Sequence, residues 1–170
     1  MAAKMLVVFV KHTGHVLSAA TVASPPVVPP LAADLVGDAL TLWGIPASPA
    51  WSLALPPDAL DVAVIDPKDE LLVSPFDWQI GADKQPVQLQ YLGQSVTVTP
   101  NAGPPQAITL NPPATFTADG VDAVLFEQGG TGPVQVYPGV TAHGIANFQY
   151  TGAPVTRALG LITNFPFALK

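Results

Sequence analysis

Cysteine is absent from the 170 residues of the chain, which excludes a disulfide framework and any chemistry that needs a thiolate. Basic residues are also scarce: Lys and Arg total 6 against 12 Asp and Glu, and the formal net charge is −6. The single arginine is Arg157. Because binding to a phosphate backbone depends on clustered Lys and Arg, we expect no nucleic-acid partner.

Long apolar runs are missing as well. The longest early run, "MLVVFV" (5–10), ends at Lys11 and His12. It is too short for the apolar core of a signal peptide or for a membrane span. We therefore expect cytoplasmic synthesis without a signal peptide and no membrane partner, although the chain could still be part of a released particle.

Charged residues make up only 11% of the chain, compared with roughly 25% in an average soluble domain. Apolar residues make up 49%, enough for a sizeable core. Two explanations remain open. The chain is either a compact β protein with a neutral polar surface, or a subunit that buries much of its surface in an assembly, since interface cores are poor in charge.

The distribution of proline and glycine indicates a β protein. The 20 prolines and 14 glycines are scattered between apolar runs, as expected for short strands joined by many turns. "VQLQY" and "SVTVT" alternate, which is typical of strands with one solvated face. "LVVFV" and "VAVI" are apolar on both faces, which predicts central strands. "LAADLVGDAL" (31–40) predicts one short helix after Pro30.

Three stretches share an order of apolar, any, Gly, two spacers, apolar and Thr. They are "LVGDALT", "YLGQSVT" and "YTGAPVT", and their glycines, Gly37, Gly93 and Gly152, lie 56 and 59 residues apart. Each is preceded by an apolar strand and followed by a strand that ends at proline or phenylalanine. We predict a single all-β domain spanning 1–170, built of three repeats of about four short strands each, at about 5–57, 61–113 and 121–167. A pseudo-threefold arrangement like a β-trefoil or β-prism would accommodate them.

The first turns of the three units occupy equivalent positions: "KHTGHV", "DPKDEL" and "EQGGTGPV". We predict hairpin turns there, followed by the return strands "HVLSAA", "ELLV" and "PVQVY". A tight Thr-Gly turn would place exposed His12 and His15 opposite each other, with Cβ atoms roughly 5 Å apart. Two histidines are too few for a zinc site, and nothing local shows that His143 supplies a third ligand, so we expect no metal.

The other candidate sites have ordinary explanations. Asp66, Asp69 and Glu70 lack the spacing of a calcium loop and suit solvated turns. "EQGGTGP" (127–133) is followed by Pro133 and a strand instead of the helix that a phosphate-binding loop requires. There is no nucleophile elbow and no Ser beside a His, so we expect no enzyme activity and no cofactor. We assign nine aromatic residues to the core: Trp43, Trp51, Phe76, Trp78, Tyr91, Phe148, Tyr150, Phe165 and Phe167.

Two functions from different classes fit these observations. The first is a non-enzymatic structural subunit that packs into a homo-oligomer, or with other structural proteins into a phage-tail-like, injection-apparatus or capsid-like particle. The second is a lectin-like module that binds carbohydrate through the hairpin tips. Its candidate ligand-binding residues are His12, His15, Asp66, Asp69, Glu70, Glu127 and Gln128. Because the tips differ in chemistry and carry no aromatic residue, we favour the first.

Overall fold

The computed structural model describes residues 3–24, 26, 28–44, 51–101, 106–150 and 154–170. These residues form an all-β structure, as predicted, with two short α-helices, α1 (Ala32–Val36) and α2 (Asp69–Val73). No helix within the described ranges is long and apolar enough to cross a membrane. The strands of the described residues are β1 (Lys4–Val10), β2 (Val16–Val22), β3 (Leu40–Gly44), β4 (Trp51–Leu55), β5 (Leu60–Ile65), β6 (Trp78–Ile80), β7 (Pro86–Gln88), β8 (Thr97–Asn101), β9 (Gln106–Asn111), β10 (Asp122–Gly129), β11 (Gln135–Val140), β12 (Ala146–Tyr150), β13 (Val155–Ile162) and β14 (Ala168–Leu169).

The strands pair antiparallel in several small sheets. The N-terminal sheet has the order β2-β1-β5, and the C-terminal sheet has the order β11-β10-β13-β14. A covering sheet has the order β12-β9-β8, and two hairpins, β3-β4 and β6-β7, complete the set. In both larger sheets the first strand of a hairpin is central, because a later strand pairs with its free edge.

Strand β1 is buried on both faces, which explains its continuous apolar sequence. Val8 and Val10 belong to the central core, together with Val124 and Phe126 of β10. Met5, Val7 and Phe9 point to the opposite face and belong to a second core with Leu71 of α2 and Ile80 of β6. The prediction of a central strand is confirmed for "LVVFV" but is wrong for "VAVI", which lies in β5 at the edge of the sheet.

The C-terminal sheet is also buried on both faces. Leu159 and Leu161 of β13 join the central core, whereas Ala158 and Ile162 join a third core beneath the covering sheet. The covering sheet can approach closely because Gly160 has no side chain: a Cβ atom there would lie 2.2 Å from Cδ2 of Leu110. The fold is therefore layered, with three apolar cores separated by two sheets.

The second predicted unit differs from the other two in its elements. The sequence predicts a return strand at "ELLV", but these residues lie in α2, because Asp69 and Glu70 suit the first turn of a helix and leucine favours helix over strand. "DPKDEL" is consequently not a hairpin turn. "VQLQY" forms a strand only as far as Gln88. The predicted helix after Pro30 is confirmed as α1, and hairpins join β1 to β2 and β10 to β11 as expected.

The core assignment of the aromatic residues is correct for some and wrong for others. Phe148, Tyr150 and Phe165 are buried, but Trp43 is 76% exposed and Phe76 is 47% exposed. Trp43 follows Leu42 on β3, and neighbouring strand residues point to opposite faces. Since Leu42 packs on the central core, Trp43 is directed away from it. The side chain of Trp51 lies outside the described residues.

Candidate functional site

The exposed aromatic residues line one shallow groove of about 290 Å³. We call it the aromatic groove. Its walls contain six apolar residues and one carboxylate, and they come from three separate segments of the chain. The lining residues are Leu42, Trp43, Phe76, Asp77, Pro166, Phe167 and Leu169.

Each segment places its residue by a simple local device. Trp43 projects from the hairpin β3-β4. Phe76 and Asp77 lie in a single 3-10 turn, Pro75–Asp77, which begins at proline because the fixed φ of proline suits the first position of a helical turn. Phe167 follows the corner after β13, and its ring centroid lies 5.0 Å from that of Phe76. Two aromatic rings therefore form a continuous wall.

Asp77 is the single charged residue among the described residues that line the groove. Its backbone N–H donates to Ser74 O and its carbonyl accepts from Leu89 N–H, so the turn holds its position. Its carboxylate forms no hydrogen bond or ion pair with any described residue. The groove thus presents an unpaired negative charge beside exposed aromatic faces.

The corner that carries Phe167 is fixed by hydrogen bonds from the side chains of His15 and Gln79. His15 Nε2 donates to Phe165 O at 2.7 Å, and His15 Nδ1 accepts from Thr13 Oγ1 at 2.9 Å. These roles identify the neutral imidazole protonated on Nε2, because a carbonyl oxygen can only accept. Gln79 Nε2 donates to Asn164 Oδ1 at 2.6 Å, and Asn164 N–H donates to Gln79 Oε1 at 3.1 Å.

The prediction that both histidines are exposed and face each other is wrong. His15 is fully buried, and burial lowers the pKa of its imidazole to about 4. Val10 N–H donates to His15 O at 2.9 Å, so Val10 is the residue opposite His15. His12 lies within the turn, is half-exposed, and donates from Nε2 to Gly139 O at 3.0 Å. The four-residue turn, closed by Gly14 N–H and Val10 O, explains why a two-residue turn does not form.

His12 lines a second cleft, of about 480 Å³. Lys11, Lys84 and Asp122 also line it. Lys84 Nζ is 3.2 Å from Asp61 Oδ2, and Lys11 Nζ donates to Asp58 O at 2.7 Å. Acidic and basic groups are therefore mixed in this cleft, which gives it no clear preference for ligand charge.

The other predicted binding residues lie far from His12. Asp66, Asp69 and Glu70 are exposed, and Asp66 Oδ1 is 2.6 Å from Lys4 Nζ. Lys4 begins β1 and His12 follows its end, so the 7 residues of the strand separate them by roughly 20 Å. The predicted polar tips do not converge on one site.

Glu127 and Gln128 lie at the far end of β10 from the His12 cleft, within the strand and not in the turn. Gln128 Oε1 accepts from Arg157 at 3.3 Å. Glu127 is buried between the C-terminal and covering sheets, and its Oε2 has no hydrogen-bond partner. Burial raises the pKa of the Glu127 carboxyl above its usual value.

Within the part of the chain that the structure describes, no three His, Cys, Asp or Glu side chains are grouped so that they could hold a metal ion. Comparison with family models, with curated proteins and with solved structures found no match. The sequence does not predict the aromatic groove. The alternation in "LTLW" indicates only that Trp43 points away from the face that Leu42 buries.

Proposed function

We propose that the chain is a non-enzymatic subunit of a protein assembly and that the aromatic groove is its docking face. The assembly is a homo-oligomer or a larger particle of the phage-tail, injection-apparatus or capsid kind, including one that is released from the cell. The observation that carries this proposal is the exposure of Trp43 beside Phe76, Phe167 and Leu169.

Exposed aromatic clusters of this kind are a liability in a chain that works alone. Contiguous apolar patches on a soluble protein commonly mark an interaction site. Trp is also the residue type most often found at the energetic centre of protein interfaces, where neighbouring contacts exclude water from it. Trp43 and Phe76 therefore match the centre of an interface better than any polar cleft of this molecule does.

The distribution of charge supports the same proposal. Interface centres are depleted of charged residues, and the groove has only Asp77 among its described lining residues. The whole chain carries 11% charged residues, so much of the remaining surface could also be covered at little electrostatic cost. Burying such a surface requires little desolvation of ions.

Native mass in solution tests self-assembly. We would measure light scattering after size exclusion over a wide concentration range, for the wild type and for Trp43→Ser. A defined oligomer that Trp43→Ser dissociates would support a homo-oligomer built through the groove. Val73→Ser is the matched control, because Val73 is 82% exposed and lies outside the groove. A wild-type monomer at every concentration would overturn self-assembly and restrict the proposal to docking on a different chain.

Carbohydrate binding is a second candidate, and the aromatic groove supplies the observation that favours it. Sugar rings stack on exposed aromatic faces and hydrogen-bond to carboxylates, and Trp43, Phe76 and Asp77 offer both features. This location differs from the hairpin tips predicted from the sequence. A glycan screen of the wild type beside Trp43→Ala tests this function: a glycan whose binding depends on Trp43 would support it, and no binding would exclude the sugars screened.

We also propose that the threefold division of the chain reflects related units. Gly37 and Gly93 support it, since both have positive φ, of 67° and 84°, and each precedes a hairpin that ends in Pro-Pro. Gly152 lies outside the described residues. The second unit begins with strand β5 and helix α2. If the units are related, these two elements stand where the other units have their first hairpin.

A further inference from the structure

We infer that the aromatic groove binds a lysine or arginine side chain from a basic segment of a different protein. The inference rests on the proposed function in one respect, namely that the groove docks a protein. It goes further by specifying the charge of the residue that enters and by excluding a second copy of this chain as its source.

The groove has the two features that favour an organic cation. The face of an aromatic ring is negative and attracts a cation placed within about 6 Å of its centroid. Trp43 and Phe76 are exposed, and Phe167 extends the wall. The unpaired carboxylate of Asp77 adds a full negative charge. A neutral apolar side chain would fill the groove but would bury this carboxylate without a partner, which is costly.

The same chemistry already occurs twice within the chain. Lys68 Nζ lies 4.2 Å from the ring centroid of Trp78, and Lys84 Nζ lies 5.0 Å from that of Phe9. Trp78 is thus covered by a cation from its own chain. Among the described residues, no cation is placed in this way over Trp43, which is the more exposed of the two tryptophans.

The source of the cation is a different chain, because every basic residue of this one already has a partner. Its Lys and Arg residues total 6, and every one of them has a partner within its own chain. A second copy would also bring a further net charge of −6 towards the Asp77 carboxylate. The pairs are Lys4–Asp66, Lys11–Asp58, Lys68–Trp78, Lys84–Asp61 and Arg157–Gln128, and Lys170 is engaged as well.

The test uses the full chain and the probe peptide Ac-Ser-Gly-Arg-Gly-Ser-NH2. Its counterpart replaces arginine by citrulline, which has nearly the same shape but no charge. Titrations are followed by ¹H–¹⁵N NMR at the indole N–H of Trp43. We expect a saturable shift with the arginine peptide and binding at least fivefold weaker with the citrulline peptide, as loss of a desolvated cation–π contact and an ion pair predicts.

Two variants locate the charge. Asp77→Asn should weaken binding of the arginine peptide about tenfold, because the asparagine oxygen can still accept a hydrogen bond but no longer forms an ion pair with the guanidinium. Asp69→Asn removes the same charge from an exposed position outside the groove and should leave the affinity unchanged. The dispersion of the amide spectrum shows directly whether each variant is folded.

Several outcomes would overturn the inference. Equal affinity for the citrulline peptide would show that the groove does not recognise the positive charge, and equal loss in both variants would show only general attraction to an acidic chain. A Trp43 indole signal that shifts with protein concentration alone would identify a second copy, so the proposed assembly function would stand while this inference would fail. Binding of a sugar at Trp43 without binding of the arginine peptide would reject both this inference and the proposal that the groove docks a protein.

Discussion

His15 shows how a single buried side chain can couple the two ends of the chain. Its imidazole accepts from Thr13 and donates to Phe165 O, and it is fully buried. Neutral imidazole satisfies both contacts, whereas imidazolium would be a buried charge and would require the Thr13 hydroxyl to accept instead of donate. Desolvation is therefore the main reason that its pKa falls to about 4, although the Phe165 carbonyl opposes it.

We expect this residue to make the fold sensitive to acid between about pH 6.5 and pH 4. In that window the unfolded chain binds a proton that the folded chain refuses, so the free energy of unfolding falls as the pH falls. Above pH 6.5 both states are neutral at this position, and the effect vanishes. From pH 7 to pH 4.5 the loss should approach about 2–3 kcal/mol.

Urea denaturation of the wild type and of His15→Gln at both pH values measures this effect. The glutamine amide can still donate towards Phe165 O but does not titrate, so the acid-dependent loss should be much smaller in the variant. Glu127 acts with the opposite sign, because its raised pKa favours the folded state at low pH, but it contributes equally to both proteins. His12→Gln is the control and should retain the acid sensitivity of the wild type. Equal pH dependence in wild type and His15→Gln would refute the assignment.

The sequence predicts that His12 and His15 belong to a hairpin turn, and the structure confirms the turn. It does not predict that one histidine is buried, because the acceptor of its hydrogen bond is 150 residues away. Glu127 illustrates the same limit. A carboxylate near a glycine-rich turn suits an exposed tip, and only the covering sheet, formed by distant strands, buries it.

At the scale of elements, strands β1, β2, β10 and β11 follow from apolar runs separated by turn residues. Helix α2 does not, because its 5 residues are too few to display a helical period. Leu71 and Leu72 fit a buried strand equally well. The structure differs because the chain does not return along the free edge of β5; it turns into α2, where Leu71 packs in the second core.

The approach of the covering sheet to β13 should be disrupted by Gly160→Ala. The added Cβ would lie 2.2 Å from Cδ2 and 2.8 Å from Cδ1 of Leu110, so we expect a loss of about 1–3 kcal/mol from overpacking. Leu110→Val shortens the opposing side chain, and in that background Gly160→Ala should cost less by at least about 0.5 kcal/mol. Denaturant titration of the four proteins gives the coupling energy, and strict additivity would contradict the packing described.

The three-unit proposal can be tested at its glycines. Gly37 and Gly93 have positive φ and open space at the Cβ position. Gly37→Ala and Gly93→Ala should therefore each cost about 1–3 kcal/mol from backbone strain alone. If the third unit is related, Gly152→Ala should cost a similar amount in thermal or urea denaturation. A neutral Gly152→Ala would argue against the third unit, since alanine is tolerated wherever φ is negative.

At the scale of the whole molecule, the central core joins the N-terminal and C-terminal sheets. Val8 and Val62 belong to the same buried cluster as Phe126 and Leu161. Neither sheet can lose this contact without exposing the other. We therefore expect one cooperative unfolding transition, in which the tryptophan fluorescence and the far-UV circular dichroism change at the same urea concentration. Two separated transitions would show that the sheets are independent units.

The aromatic groove could not have been predicted from the sequence alone. Its walls come from residues 42–43, 76–77 and 166–169, and no local pattern marks these segments as neighbours. Trp43, Phe76 and Phe167 are also residue types that are usually found in a protein core. The fold brings them together because the part-buried pair Gln79 and Asn164 docks the C-terminal corner beside the 3-10 turn.

The burial of β1 on both faces has a consequence for the synthesis of the protein on the ribosome. One face of β1 is covered by residues up to Ile80, but the other is completed by Val124 to Leu161. At translation rates of about 5–20 residues per second, the residues that cover the second face of "MLVVFV" are synthesised on the order of 10 s after it. During that interval the nascent chain displays a six-residue, uncharged, strand-forming segment of the type that seeds intermolecular sheets. Slower elongation should therefore lower the yield of native protein, and a chaperone that shelters apolar strands should restore it.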